Sequence, residues 1–195
     1  MPTEGARRAS QEPLTGQLLV ATPLTGDPFE ESVVLVLHHD DEGAHGLVLN
    51  QPMDAGVDVV LPEWQPFVTD PGVLFRGGPV GRDTAMGLVS VPGHEPGDAP
   101  LGTQLLFGGI GLVDLDAPAP LVVPELGAFR IFVGYSGWGP GQLEGEVRQG
   151  AWHVVPREPR DPFQESTDDM WREVLLRQRS SVSFLTTFTD SPELN

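Results

Sequence analysis

The sequence predicts an α+β fold in which short strands form a sheet and a few helices pack against it. Three observations carry the prediction. Leu- and Val-rich runs of strand length recur between residues 17 and 155. The chain of 195 residues holds 24 glycines and 20 prolines, which demands many turns and disfavours long helices. One segment near the C-terminus has a mainly apolar helical face, with Trp171, Val174, Leu175 and Gln178 at i, i+3, i+4 and i+7. The length suits one domain, or two small ones sharing a core.

Residues 1–13 are polar and read as a mobile leader, so the fold begins near Leu14. Residues 17–21 are the first strand. Residues 32–37 and 46–50 are two more, and the acidic, glycine-containing segment between them makes a β-hairpin. Their nearly continuous apolar character implies burial on both faces of at least one strand. Residues 57–64 are expected to form a short helix bounded by Pro52 and Pro66, although Pro62 lies inside it. Residues 73–76 are a strand that ends in a tight turn at Gly77, Gly78 and Pro79, and residues 85–91 are another strand.

Residues 92–100 are a loop by composition. In 101–120 the glycines of LLFGGIGLVDL spoil both periodicities, and no element is assigned. Residues 129–135 are a buried strand. The glycine-rich SGWGPG then leads to a helix from Gln142, which Gly150 stops. Residues 151–155 are a further strand. The final helix is capped by Ser166 or Thr167, with Asp168 and Asp169 in its first turn and Arg172, Arg177 and Arg179 toward its other end. No repeat of fixed period is present, which disfavours a solenoid or propeller.

Composition removes several mechanisms. Asp and Glu number 28 against 11 Lys and Arg, for a formal charge of −17, and all eleven cations are arginine. With neither lysine nor cysteine, the chain has no cysteine nucleophile, zinc-thiolate site, disulfide, Schiff-base lysine or lysine-dependent phosphate loop. The negative charge opposes a phosphate backbone, so direct nucleic-acid binding is not expected. No run approaches the roughly 20 apolar residues of a membrane span, and the N-terminus lacks an apolar signal core. A cytoplasmic protein is expected, and the lack of cysteine suits a reducing compartment.

Three segments offer chemistry. His38, His39, Asp40, Asp41, Glu42 and His45 are all metal-ligand types, but adjacent strand residues point to opposite faces. Only a turn would gather His39, Asp41 and His45, the metal candidates; the plainer reading is a solvated hairpin tip. Ser136 lies between a strand and a helix, yet Trp138 stands where the nucleophile elbow G-x-S-x-G needs glycine. Its plainer role is a small residue for close packing, as the neighbouring glycines permit a sharp turn. Arg76 and Arg82 flank Gly77, Gly78 and Pro79, where two guanidiniums beside free amides suit a carboxylate; the plainer reading is an internal pair with Asp83 or another acid.

Taken in series, GQLLVATP, FEESVVLVLHHDDEGAHGLVLNQP, FRGGPV, GYSGWGPGQLEGEVRQGAW and DPFQESTDDMWREVL resemble the YqgE/AlgH family of bacterial proteins. The resemblance spans residues 14–190 and leaves 191–195 as a tail. It implies a single compact α+β unit with a bent, branched, mixed or antiparallel sheet, flanking helices and a bacterial cytoplasmic setting. It implies no reaction, because a fold shared with an uncharacterised family transfers little function.

The leading expectation is a non-catalytic binding or regulatory protein that holds a protein segment or small molecule in a groove between two glycine-rich turns. The residues expected to form it are Arg76, Gly77, Gly78, Pro79, Arg82, Tyr135, Trp138 and Gln142. No catalytic residue, cofactor or metal is assigned. The alternative is a hydrolase-type enzyme using histidine and carboxylate groups, with or without a metal. A transcriptional regulator is the third reading, with direct DNA binding opposed by the charge. An exposed edge of the early hairpin is compatible with a dimer, and the pattern requires none.

Overall fold

Strand β1 (Leu18–Ala21) shows why this sequence builds a two-sided sheet, since all four of its residues are buried. Successive side chains alternate in direction, and both directions are apolar. Leu18 and Val20 enter a core with Trp171, Val174 and Leu175 of helix α3 (Met170–Leu176). Leu19 and Ala21 enter another, with Leu143 of helix α2 (Gln142–Arg148), Trp138 and Trp152. Strands β2 (Val33–Asp40) and β3 (Gly43–Val48) continue the layer antiparallel to β1, and β10 (Trp152–Val155) pairs with the other edge of β1. The computed structural model describes residues 13–94 and 97–178. The leader up to residue 12, Arg179 and the 191–195 tail lie outside the described residues.

The sheet branches at β9 (Phe129–Trp138). Its first half pairs parallel with β5 (Val73–Arg76) on one side and antiparallel with β6 (Val80–Ser90) on the other. Its second half, from Ser136 to Trp138, pairs with β3. Strand β4 (Pro52–Gly56) lies outside β5, while β8 (Ile110–Val113) and β7 (Thr103–Phe107) extend the sheet beyond β6. A third core joins Val89, Phe129 and Ile131 to Trp64 and to helix α1 (Ala119–Val122). The fold is a mixed, branched sheet of ten strands among the described residues, with helices a minor part: α1 has 4 residues, and α2 and α3 have 7 each.

β5, α2 and β10 form where the sequence places them, and so does the early hairpin, except that its strands run on to Asp40 and resume at Gly43, so that His38, His39 and His45 lie in paired strands and not in a solvated tip. Four other expectations change. In place of a helix over 57–64 there is a single 3₁₀ turn, Val57–Val59, preceded by the unassigned β4; Pro62 cannot donate within a helix. The unassigned 101–120 region forms the β7–β8 hairpin, in which Gly108 and Gly109 both take positive φ, 49° and 73°. That is the geometry of a two-residue hairpin turn. Helix α3 begins at Met170 with Asp169 at its cap position and no side-chain cap, later than Ser166 or Thr167 would start it. Finally, β9 does not stop at Tyr135, because Gly134, at φ 69°, redirects the strand without ending it.

Candidate functional site

The two glycine-rich segments meet backbone against backbone. After β5 the chain crosses over β9 and returns on its other side as β6. Gly77 donates its N–H to Val133 O at 2.9 Å and accepts from Val48 N–H at 2.9 Å, which ties three strands together. A Cβ on Gly78 would lie 2.3 Å from the carbonyl carbon and oxygen of Tyr135, and one on Gly77 would lie 2.3 Å from Gly134 O. Only glycine permits this approach. The buried Ser136 donates its hydroxyl to Gly77 O at 3.1 Å, so it locks the crossing from inside β9 instead of standing at a strand-to-helix turn.

This contact leaves no groove between Gly78 and Tyr135, and open surface lies beside the crossing. Pro79 is exposed on its outside, and the Tyr135 ring covers Gly81. Trp138 is buried and donates its indole N–H to Glu146 Oε2 at 2.9 Å; Trp152 donates to the same oxygen at 2.8 Å. Gln142 donates to Glu146 Oε1 at 2.9 Å and accepts from Gly139 N–H at 3.0 Å. One carboxylate of α2 thus gathers two tryptophans and the residue that starts the helix. Trp138 and Gln142 stand together, apart from the two arginines.

The histidine segment divides between faces. His39 is buried, with Nδ1 accepting from Leu14 N–H at 3.0 Å and Nε2 lying 3.0 Å from Glu144 Oε1. An acceptor Nδ1 leaves the proton on Nε2, which donates it to the carboxylate. The Glu144 pKa is held below its ordinary value first by its own backbone N–H and then by His39. Across the strands His38 pairs with His45, their ring centroids 5.4 Å apart on the other face, and Asp41 sits exposed in the turn. Among the described residues no three such groups are placed to hold one metal ion.

Arg76 and Arg82 open onto different cavities on either side of β4. Arg76 borders a polar cavity of about 500 Å³ that Asp27, Gln51 and Asp54 also line. Arg82 stands at the rim of a larger one, of about 730 Å³, floored by Met53, Leu61, Leu74, Met86, Leu112 and Val133. Asp83, Asp114 and Asp116 share that rim. Neither guanidinium makes a hydrogen bond or ion pair among the described residues, so the expected internal pair with Asp83 does not form. About 300–1,000 Å³ of mainly apolar space with a few polar groups is the usual form of a small-molecule site.

The 730 Å³ cavity was not foreseen from sequence. Its floor comes from six separate segments, and its one local trace is the alternation of apolar and acidic residues in Leu112, Val113, Asp114, Leu115 and Asp116. A second unforeseen residue is Arg130, fully buried in β9. It donates to Asp70 O at 3.0 Å, Gln164 O at 2.8 Å and Pro162 O at 3.3 Å, and lies 4.2 Å from the centre of the Phe75 ring. Burial lowers its pKa to about 10. The signal was a lone arginine inside the apolar FRIFVGY.

A family model described as AlgH-like matches residues 18–183, most of the chain and every described element from β1 to α3. The chain belongs to the AlgH-like family. Among its relatives, a UPF0301 protein of Streptomyces coelicolor is 52% identical over 93% of this chain and 95% of its own, and one of Thermobifida fusca is 45% identical over 93% and 96%. A crystal structure of a Corynebacterium diphtheriae protein matches with a TM-score of 0.83 at 32% identity, covering 91% of this chain and 94% of that one. The solution structure of Pseudomonas aeruginosa AlgH matches with a TM-score of 0.68 at 26% identity, covering 98% and 100%. These AlgH-like relatives are bacterial, and their names state no activity.

Proposed function

We propose that this AlgH-like protein is a non-catalytic binding protein whose ligand sits in the cavity between β4, β6 and the end of β8. One observation carries the reading: the 730 Å³ cavity is floored by apolar side chains, open to solvent and rimmed by charged ones, including an arginine without an internal partner. Arg82 stands on the rim of this cavity, and Arg76 borders the separate polar cavity beyond β4. Gly77, Gly78, Pro79 and Tyr135 shape the crossing that sets the separation of β5 and β6, and Trp138 and Gln142 brace the far end of β9 through Glu146.

Three polar groups with catalytic potential, His39, Ser136 and Asp161, support the non-catalytic part of this reading, because each is engaged in holding the fold. His39 uses both ring nitrogens, Ser136 bonds a buried carbonyl, and Asp161 accepts both terminal nitrogens of Arg177, at 2.7 and 2.6 Å. The charge of −17 weighs against contact with DNA. A cytoplasmic setting belongs to the same proposal, supported by the cysteine-free composition; among the described residues no helix is long and apolar enough to cross a membrane.

Ala85→Trp tests the reading, since Ala85 is an exposed residue of β6 that lines the cavity. Small molecules that co-purify with the untagged protein are extracted and quantified by mass spectrometry. The native protein carries a compound in proportion to protein, and the folded variant loses it. A variant that carries the same compounds in the same proportion overturns the proposal.

A further inference from the structure

We infer that the ligand of this cavity is an amphipathic cation: an apolar body with a positively charged end. The inference rests on the binding reading above and adds the charge of the ligand. The floor supplies the apolar part, with Met53 and Met86 as adaptable contacts for a body of irregular shape. The charged end is selected at the rim, where Asp83, Asp114 and Asp116 stand against Arg82 alone.

Three carboxylates and one guanidinium leave the mouth of the cavity net negative, in a molecule whose whole charge is −17. Local rim and global field therefore act in the same direction, attracting a cation and opposing an anion. Asp114 already accepts the Asp116 N–H at 3.0 Å, which fixes one rim carboxylate where the loop leaves β8. Asp83, Asp114 and Asp116 are all exposed, so their pull on a ligand is screened and the preference weakens with salt. Arg82 lies on the same rim and opposes the cation; its removal sharpens the preference.

Three fluorescent probes with one apolar body separate the possibilities: dansylcadaverine is cationic, dansylamide neutral and dansylglycine anionic. Binding to the full chain is followed by dansyl emission at low and at high salt. The expected order is cation, neutral, anion, with the cation at least about fivefold tighter than the anion at low salt and the difference shrinking at high salt. Asp114→Asn and Asp116→Asn each weaken cation binding by about two- to fivefold, and Arg82→Gln strengthens it by a similar factor. These exposed substitutions are checked for an unchanged circular dichroism spectrum. Equal or tighter binding of dansylglycine, or a preference untouched by the Asp→Asn changes, overturns the inference. Uniform binding of all three probes that Ala85→Trp abolishes overturns the charge selection and leaves the cavity reading standing. Failure of every probe to bind overturns both.

Discussion

Gly78→Ala tests the crossing of the two glycine segments over β9. The new Cβ would lie 2.3 Å from Tyr135 C and O and 2.4 Å from Ser136 N, and all three are backbone atoms of a buried strand that cannot step aside as a side-chain tip can. The residue also sits at φ 156°, outside the conformations alanine prefers, a backbone cost of about 1–3 kcal/mol. Overpacking adds about 1–3 kcal/mol. Parting the chains weakens the hydrogen bonds of Gly77 with Val133, Val48 and Ser136, each worth about 0.5–1.5 kcal/mol. The expected loss is on the order of 3–6 kcal/mol, a large share of the roughly 5–15 kcal/mol that holds a domain.

Gly93→Ala is the control. Its φ is 79°, but a Cβ there has nothing within 4 Å, so it carries the backbone cost alone, about 1–2 kcal/mol. Urea denaturation of the two variants beside the parent measures both numbers. If Gly78→Ala loses no more stability than Gly93→Ala, the backbone crossing is not what demands glycine, and the packing argument fails.

Other predictions follow from the same network of contacts. Arg130→Met removes the donor of three carbonyls, those of buried Pro162, half-buried Gln164 and exposed Asp70; at about 1–3 kcal/mol for each group that water cannot reach, it lowers stability by on the order of 2–4 kcal/mol in urea denaturation, and a loss below about 1 kcal/mol contradicts the assignment. Glu146→Gln sets an amide against Gln142 while two indoles still need an acceptor; a loss of about 1–3 kcal/mol is expected, with altered emission from Trp138 and Trp152, and an unchanged spectrum refutes the bridging role. Burial lowers the pKa of His45 and of His153 below the ordinary 6.5, His45 being lowered further by His38. As the pH falls through 6.5 the unfolded chain therefore takes up protons before the folded one, and stability declines until the pH passes below the lowered values. His153→Gln flattens that slope between about pH 7 and pH 5, whereas an unchanged slope assigns the acid sensitivity elsewhere.

Local pattern made much of the sheet legible. β1 and β2 were readable because their apolar runs are continuous, and α2 because Gly141 and Gly150 punctuate it. Helix α3 showed its buried face through Trp171, Val174 and Leu175, although its start did not follow the available caps. Strand β4 was hidden by Pro52, Asp54 and Gly56, residue types that a paired outer ribbon tolerates and a central strand does not. The β7–β8 hairpin left its mark in Gly108-Gly109, where a turn of two positive-φ residues was the better reading than a broken periodicity.

The candidate site was only partly legible, for a physical reason. GGPV and GYSGW were both conspicuous, yet the demand for glycine arises where they touch, between partners 59 residues apart such as Ser136 and Gly77. Arg76 and Arg82 were recognised as exceptional cations, and the structure leaves both guanidiniums without an internal partner while turning them to different cavities. The cavity floor draws on β4, the turn after it, β5, β6, β8 and β9. Such a surface has no contiguous motif, because apolar lining residues are indistinguishable in sequence from core residues until their neighbours are known.

Backbone amide chemical-shift mapping during a titration with dansylcadaverine tests the central claim most directly. The account predicts saturable shifts concentrated at residues 82–87 and 112–116 and at Leu61, all absent in Ala85→Trp. Shifts centred instead on Trp138, Gln142 and the Glu146 helix, or spread evenly without saturation, would contradict a binding cavity between β4, β6 and β8.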